Sequence, residues 1–332
     1  MEGCFEYMVC TRCFAYNHEL YIENALYGFA MQETSFPVVN VIVDDASTDK
    51  TPIIIDSFIK KHCDFDEALS KQEETEFFRL FFARHKCNRN CFFAVVLLSL
   101  NHSSSGKSKY PYIAEWQETS KYIAICEGDD YWIDPRKLQK QVDYMESSPK
   151  CYFCGTNGLV IWENGEKKPY VFNDIISNHI LKPEELIGHW VFPTAGIIFR
   201  KEILSERKKS GMKYYGADQT YALLGLSLGD VFAMSDVTCV YRRNSKNSTG
   251  STNKAKKKGH EYITEQHILT YTRFNEYTNG RFSQIINPLL KKLKKKVPVY
   301  KAMNKSIVLA FFRNPFVFTL IALKKIMTDY NV

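Results

Sequence analysis

Twice in this sequence a short apolar run breaks off on a cluster of carboxylates and is followed at once by a helix-opening proline. Val38 to Val43 is β-branched and strand-like. It ends in Asp44-Asp45-Ala46-Ser47-Thr48-Asp49, and Thr51-Pro52 then precedes Ile55, Phe58 and Ile59 at helical spacing. Tyr122 to Cys126 stops in the same way on Glu127-Gly128-Asp129-Asp130, after which Asp134-Pro135 opens a helix with Leu138, Val142 and Met145 on one face. A third unit starts the chain: Met8 to Ala15 is strand-like, Asn17 reads as an N-cap, and Ile22, Leu26, Phe29 and Ala30 follow at helical spacing. Strands alternating with helices, with acidic clusters just past the strands' C-terminal ends, predict an α/β protein. Its sheet is open, mixed but mainly parallel, flanked by helices, with a site in the crevice at that edge.

The rest of the chain sets the boundaries. With 332 residues, 45% hydrophobic and 24% charged, the composition is that of a globular protein and excludes disorder, collagen and a disulfide-stapled miniprotein. Phe77 to Ala83 predicts a further strand, and residues 101–111 have loop composition. From Cys151 the pattern changes to shorter strands at 152–156, 159–162 and 195–200, a helix at 219–228, and a strand pair at 231–234 and 237–242. Residues 244–256, rich in Ser, Asn, Gly and Lys, read as a flexible loop, which places a catalytic domain at 1–250 and a basic helical extension at 251–332. That extension divides into helical stretches at 259–287 and from Leu289 onward.

Charge and cysteine narrow the partners. The formal net charge is +7, yet residues 289–332 carry ten Lys or Arg against Asp329 alone, so the body is close to neutral. A neutral body with a basic tail is not a nucleic-acid domain, whose basic surface spreads over the fold. In the tail, LLKKLKKK from Leu289 to Lys296 is followed by apolar runs from Ile307 to Phe312 and Phe316 to Leu323. Neither run reaches the ~20 apolar residues of a membrane span. Residues 289–325 therefore read as interfacial helices at an anionic membrane surface, or as ordinary helix packed on the domain. The ten cysteines are scattered through strand-like runs and read as free buried thiols in a reducing compartment. Cys10-Thr-Arg-Cys13 and Cys151-Tyr-Phe-Cys154 have zinc-knuckle spacing but lack the Gly and polar turn residues of a ligand loop. MEGCFEYMVC has no basic n-region and no long apolar stretch, which predicts no signal peptide and a cytoplasmic protein, peripheral at the inner face of the membrane.

Chemistry concentrates in Glu127-Gly128-Asp129-Asp130. Three carboxylates within four residues repel one another unless a cation holds them, and a hard divalent ion does this with oxygen ligands. The competing reading is a solvated turn in which Asp130 only caps. Asp44-Asp45, past a neighbouring strand, points into the same crevice and favours the ligand reading.

These segments resemble glycosyltransferase family 2, of the GT-A (Rossmann-like) fold. The resemblance rests on Tyr16-Asn17-His18-Glu19, on VIVDDASTDKT from Val41 to Thr51, and above all on CEGDDYWIDPRKLQKQVDYME from Cys126 to Glu146, and spans about residues 7–244. It implies a nucleotide-sugar donor and Mn²⁺ or Mg²⁺ on the diphosphate. Asp45 would then bind the base, uracil or another, with Tyr16 stacked near it and Asn17 alongside. Asp129 and Asp130 would serve the ribose, the metal and the diphosphate, with Glu127 supporting them. An inverting transfer also needs a base for the acceptor hydroxyl, and the matching position is Asp218, which reads as a helix N-cap as well. Arg84 and Lys86, after the third predicted strand, would add positive charge near the diphosphate. Tyr131 and Trp132 would form a sugar-stacking wall. His189-Trp190 and Pro193-Thr194 resemble the acceptor side. Three departures stand out: Phe14 two residues before the tyrosine, an insertion at 101–117, and Asn244, a weaker oxygen ligand, where relatives often carry a histidine near the metal.

The resulting expectation is a metal-dependent inverting enzyme that moves a sugar, from a UDP-sugar by preference, to a hydroxyl of a glycan or lipid-linked precursor of cell-surface polysaccharide. The alternatives are a non-catalytic nucleotide-sugar or membrane-binding protein, and a nucleotidyltransferase. The latter would open with a Gly-rich basic phosphate loop, which does not follow the first strand here.

Overall fold

The computed structural model describes residues 6–212, 216–243, 259–303 and 313–321. Asn244 and the predicted boundary at 250/251 lie outside them. Thirteen strands form one sheet: β1 Tyr7–Ala15, β2 Val38–Asp44, β3 Cys63–Asp64, β4 Lys71–Glu74, β5 Phe78–His85, β6 Cys91–Leu98, β7 Ser120–Ile125, β8 Tyr131–Trp132, β9 Cys151–Trp162, β10 Tyr170–Val171, β11 His179–Ile180, β12 Ile197–Arg200 and β13 Asp230–Arg243. Its main order is β11-β13-β9-β12-β7-β1-β2-β6-β5-β3. The centre, β7-β1-β2-β6, is parallel, and antiparallel β12 and β5 flank it. The mixed, centrally parallel sheet anticipated from the sequence is therefore the observed one.

Two layers of helix cover the sheet. On one face lie α1 (Ile22–Ala30), α2 (Thr51–His62) and α4 (Lys137–Ser147), whose Ile22, Leu26, Phe29, Ile55, Phe58, Ile59, Leu138, Val142 and Met145 are all buried. These are the positions that helical spacing selects, and burial of each such side chain contributes about 1.5–3 kcal/mol. The other face holds α3 (Ala114–Glu118), α5 (Pro183–Leu186), α6 (Glu202–Lys209) and α7 (Ala217–Leu228). It also holds the two helices of the tail, α8 (His260–Tyr277) and α9 (Ser283–Met303).

Several local expectations are corrected. Asn17 is not the cap of α1: it has φ 55, and the helix starts five residues later, after Tyr21. β6, CFFAVVLL, is buried at every position, as an inner strand covered on both faces must be. Such a run shows no alternation, so periodicity does not single it out. Residues 231–242 form one strand, not a pair, with register shifts along its parallel partner β9. The tail turns at Asn279 and Gly280, both with positive φ, while Pro288 is carried within α9.

Tyr271, Phe274, Phe282, Ile286 and Leu293 of the tail belong to the same buried cluster as Phe153, Phe199 and Leu223 of the sheet and α7. Tyr277 Oη also donates to Glu206 on α6, and Arg281 donates to Ser227 O. Phe274→Ala, which removes a ring stacked on Phe282, should therefore cost about 3–5 kcal/mol. Thermal or denaturant unfolding should show one transition shifted as a whole. A separate early transition for the tail, with the sheet unaffected, would contradict the shared core.

Candidate active site

The C-terminal edge of β7-β1-β2 gathers three loops. After β1, Asn17 Oδ1 accepts the Thr48 N–H at 2.7 Å and the Asn17 N–H donates to Ser47 Oγ at 2.8 Å, which ties this loop to the one after β2. After β7, Gly128 N–H donates to Phe14 O, and the acidic turn lies against His18. Only glycine fits at 128, because a Cβ there would stand 2.8 Å from His18 Nδ1 and 3.1 Å from the Ala15 Cβ.

Asp130 is 3% exposed, and its Oδ1 accepts the Arg242 N–H at 2.8 Å. Burial first, and then the neighbouring Asp129, push its carboxyl well above the usual range, against the pull of Arg242. Glu127 is raised by burial too, although Arg12 lies 3.7 Å away and Phe14 N–H donates to it at 3.1 Å. His18 Nδ1 is buried without a hydrogen-bond partner, and burial lowers this imidazole's pKa. Asp129 and Asp130 carry oxygen donors of the kind a hard divalent cation takes. No group of three or more His, Cys, Asp or Glu among the described residues is arranged to hold a metal. That is compatible with Mg²⁺ or Mn²⁺, since Mg²⁺-type sites use one or two carboxylates together with substrate phosphates.

Across the cleft, Asp218 sits in the first turn of α7. Its Oδ2 accepts Trp190 Nε1–H at 2.7 Å and Thr194 Oγ1–H at 3.2 Å, and its Oδ1 accepts the Gln219 N–H at 2.9 Å. Gly216, with φ 83, takes the N-cap position predicted for Asp218. Trp190 packs edge-on against Phe172 and Tyr241. Trp190 thus links Asp218 to β13, whose Arg242, next to Tyr241, holds Asp130. Burial first, and then Asp130, push the Tyr241 hydroxyl up to about 12. The loops after β1, β2 and β7 thus bring Asn17, Asp129 and Asp130 to one edge of the sheet, while Thr194 and Asp218 are joined to each other and, through Trp190, to β13.

No protein-family profile matches the chain. Uncharacterized proteins of Mycobacterium tuberculosis and Mycobacterium bovis are each 32% identical over 188 residues, 57% of this chain and 45% of theirs. The chain spans a little under half the length of these curated relatives. Among solved structures, S. aureus TarS 1-349 superposes with a TM-score of 0.51 at 12% identity, covering 95% of this chain and 91% of that one. The mannosyltransferase PcManGT from Pyrobaculum calidifontis, in complex with GDP-Man and Mn²⁺, gives 0.51 at 14% identity, covering 99% and 85%. The fold is of the GT-A type.

Within this GT-A sheet, three expected site residues are placed elsewhere. Lys86 donates to Lys60 O and Lys61 O at the opposite edge, and Arg84 pairs with Glu67. The cause is β6: it intervenes between β2 and β5, so β5 runs antiparallel and its C-terminal end points away from the cleft. Trp132 is 1% exposed, donates to Ala195 O and packs on Phe29, so it is core rather than a sugar-stacking wall. Asp45 is at the cleft, but its carboxylate is filled by the 101–109 loop. It accepts from His102 N–H (2.6 Å), Ser103 N–H (3.1 Å), Ser103 Oγ–H (2.6 Å) and Lys109 Nζ (2.9 Å). Sequence reasoning left this loop without a role. Arg242, which binds the acidic turn, was also missed, since no local sequence signal pairs it with residues 129 and 130.

Burial alone would raise the Asp45 carboxyl, but the bonds from Ser103, Lys109 and His102 outweigh that and hold it below its ordinary range. A depressed carboxylate stabilises the fold above its unfolded pKa and loses that contribution as pH falls through the folded value. Lys109→Met should therefore raise amide hydrogen exchange across residues 101–109 at pH 7, with little change in the sheet. Acid should loosen the wild-type loop in the same way. Unchanged exchange in the variant would remove Lys109 as the clasp.

Proposed function

We propose that the chain is an inverting, metal-dependent glycosyltransferase of family 2 that moves a sugar from a nucleotide-sugar, of the UDP type by preference, to a hydroxyl of a glycan or lipid-linked precursor. The single observation that carries this reading is the run of contacts joining the two acidic groups: Trp190, which clamps Asp218, packs on Tyr241, and the next residue, Arg242, donates its N–H to Asp130. The GT-A fold supports it, as does the Pyrobaculum mannosyltransferase, whose structure is a complex with GDP-Man and Mn²⁺.

In this reading Asp129 and Asp130 hold Mn²⁺ or Mg²⁺, with His18 and Glu127 behind them. A divalent cation there would supply positive charge to the departing diphosphate. Asp218 takes the proton of the acceptor hydroxyl as its oxygen bonds to the anomeric carbon and the bond to the diphosphate breaks. Trp190 and Thr194 occupy Oδ2, leaving Oδ1 with spare acceptor capacity. Tyr16, 38% exposed, offers a face to the nucleobase, with Asn17 fixing its loop. Asp45 acts on the base end through the loop it holds. Asn244 lies beyond the described residues of β13 and has no assigned contact.

The tail is proposed to meet an anionic membrane surface. Lys291, Lys292, Lys294 and Lys295 are exposed on α9, and Phe316 and Leu320 are exposed at 313–321. No helix among the described residues is long and apolar enough to cross a membrane. Several lysines at about 1 kcal/mol each would give reversible, salt-sensitive attachment. Co-sedimentation with vesicles containing phosphatidylglycerol, lost in high salt and with all four lysines changed to Glu, is expected. Equal binding to neutral phosphatidylcholine vesicles would overturn this part.

The activity test is nucleoside diphosphate release from a panel of UDP- and GDP-sugars with Mn²⁺ or EDTA. Turnover should vanish with EDTA and in Asp129→Ala/Asp130→Ala. Asp218→Asn should lose at least about 10²-fold in kcat while still binding donor. Donor binding without turnover in any acceptor extract would favour a non-catalytic binding protein.

A further inference from the structure

The tail helices reach the Asp218 side of the cleft through one hydroxyl. Tyr271, on α8, is 2% exposed. Its Oη accepts the Gly188 N–H at 3.0 Å and Gln219 Nε2–H at 2.7 Å. Gln219 is the residue whose own N–H donates to Asp218 Oδ1, and its Nε2 reaches His189 O at 3.1 Å as well. Gly188 begins the segment that, two residues later, carries the indole donating to Asp218 Oδ2. Gly188 has φ +92, and a Cβ there would stand 3.2 Å from Leu289 Cδ2 on α9, so the tail closes on this turn from a second direction. Two of the groups that hold the Asp218 carboxylate, one on each oxygen, therefore belong to backbone segments tied to a single buried phenol.

We propose that Tyr271 is a positioning residue for Asp218, its hydroxyl fixing from the tail the two segments that orient the carboxylate and Trp190. The proposal rests on the reading of Asp218 as the base. Packing alone needs only the ring, which phenylalanine would supply equally. The hydroxyl is required because without it Gly188 N–H loses its acceptor and the Gln219 amide keeps only His189 O. Once they relax, Trp190 and Gln219 no longer hold Asp218 in one orientation, and a misplaced base loses rate steeply.

The test is Tyr271→Phe in the full chain, measured three ways. Trp190 emission is isolated by subtracting the spectrum of Trp190→Phe, UDP affinity is titrated, and kcat against pH is followed for the nucleotide-sugar that the wild type turns over with Mn²⁺. We expect a shifted Trp190 emission, a roughly tenfold fall in kcat with a changed pH profile, and UDP affinity within about twofold of wild type. Gln219→Leu should reproduce these effects, and the double variant should add little to either. Unchanged emission and pH profile, even with a lower Tm, would reduce Tyr271 to a packing residue and overturn the proposal. If Asp218→Asn keeps full turnover, the base reading fails instead. The Trp190 emission then decides by itself whether the hydroxyl places this segment.

Discussion

The guanidinium of Arg242 is the interaction on which the cleft depends. It reaches from β13 to the Asp129 carbonyl at 2.8 Å and to Asn24 Oδ1 at 2.8 Å, pairs with Glu163 at 2.9 Å, and lies over the rings of Tyr131 and Tyr21. Its backbone N–H holds Asp130. Residues from both halves of the chain, the start of α1 and the acidic turn on one side and β9 on the other, thus meet at one buried cation. Losing a partner of such a group leaves charge unpaired and costs about 3–5 kcal/mol, so this junction is not free to drift. The guanidinium meets a backbone carbonyl of the acidic turn, and Glu163 takes its ion pair.

The two acidic groups differ in their surroundings. Asp130 is enclosed, with Asp129 and Glu127 beside it, and burial disfavours its ionised form. Asp218 is half-buried at a helix start, with donors on both oxygens. Trp190, which clamps it, packs on Tyr241, and Arg242 beside that tyrosine holds Asp130, so β13 joins the two groups.

Much of this was legible because the signals were local. Acidic runs after apolar strands, helix-opening prolines and helical spacing placed β2, β7, α2 and α4, and with them Asp129 and Asp130. What escaped was decided by neighbours in space. Lys86 stands the right distance from a strand, but the direction of that strand is set by β6, whose unbroken apolar run carries no period. Trp132 reads as a site aromatic from its place after Asp130, yet β8 folds it under β13 into the core. Asp45 looks like a ligand group because its partners, His102, Ser103 and Lys109, come from a loop more than fifty residues away. Asp218 was found through resemblance, while the phenol behind it lies in a tail that resembles nothing in the motif.

The tail hairpin has two faces with different demands. Its inner face buries Tyr271, Phe274, Phe282, Ile286 and Leu293 in the core of the sheet, and its outer face carries lysines at 291, 292, 294 and 295. A helix held by that much apolar burial does not swing away from the sheet. The segment from Gly188 to Trp190 hangs on the same hairpin through Tyr271 and Leu289. Orientation of the basic face and geometry around Asp218 are therefore not independent variables. A substitution that tilts α8 alters both together, whereas one confined to the outward lysines leaves the Asp218 clamp intact.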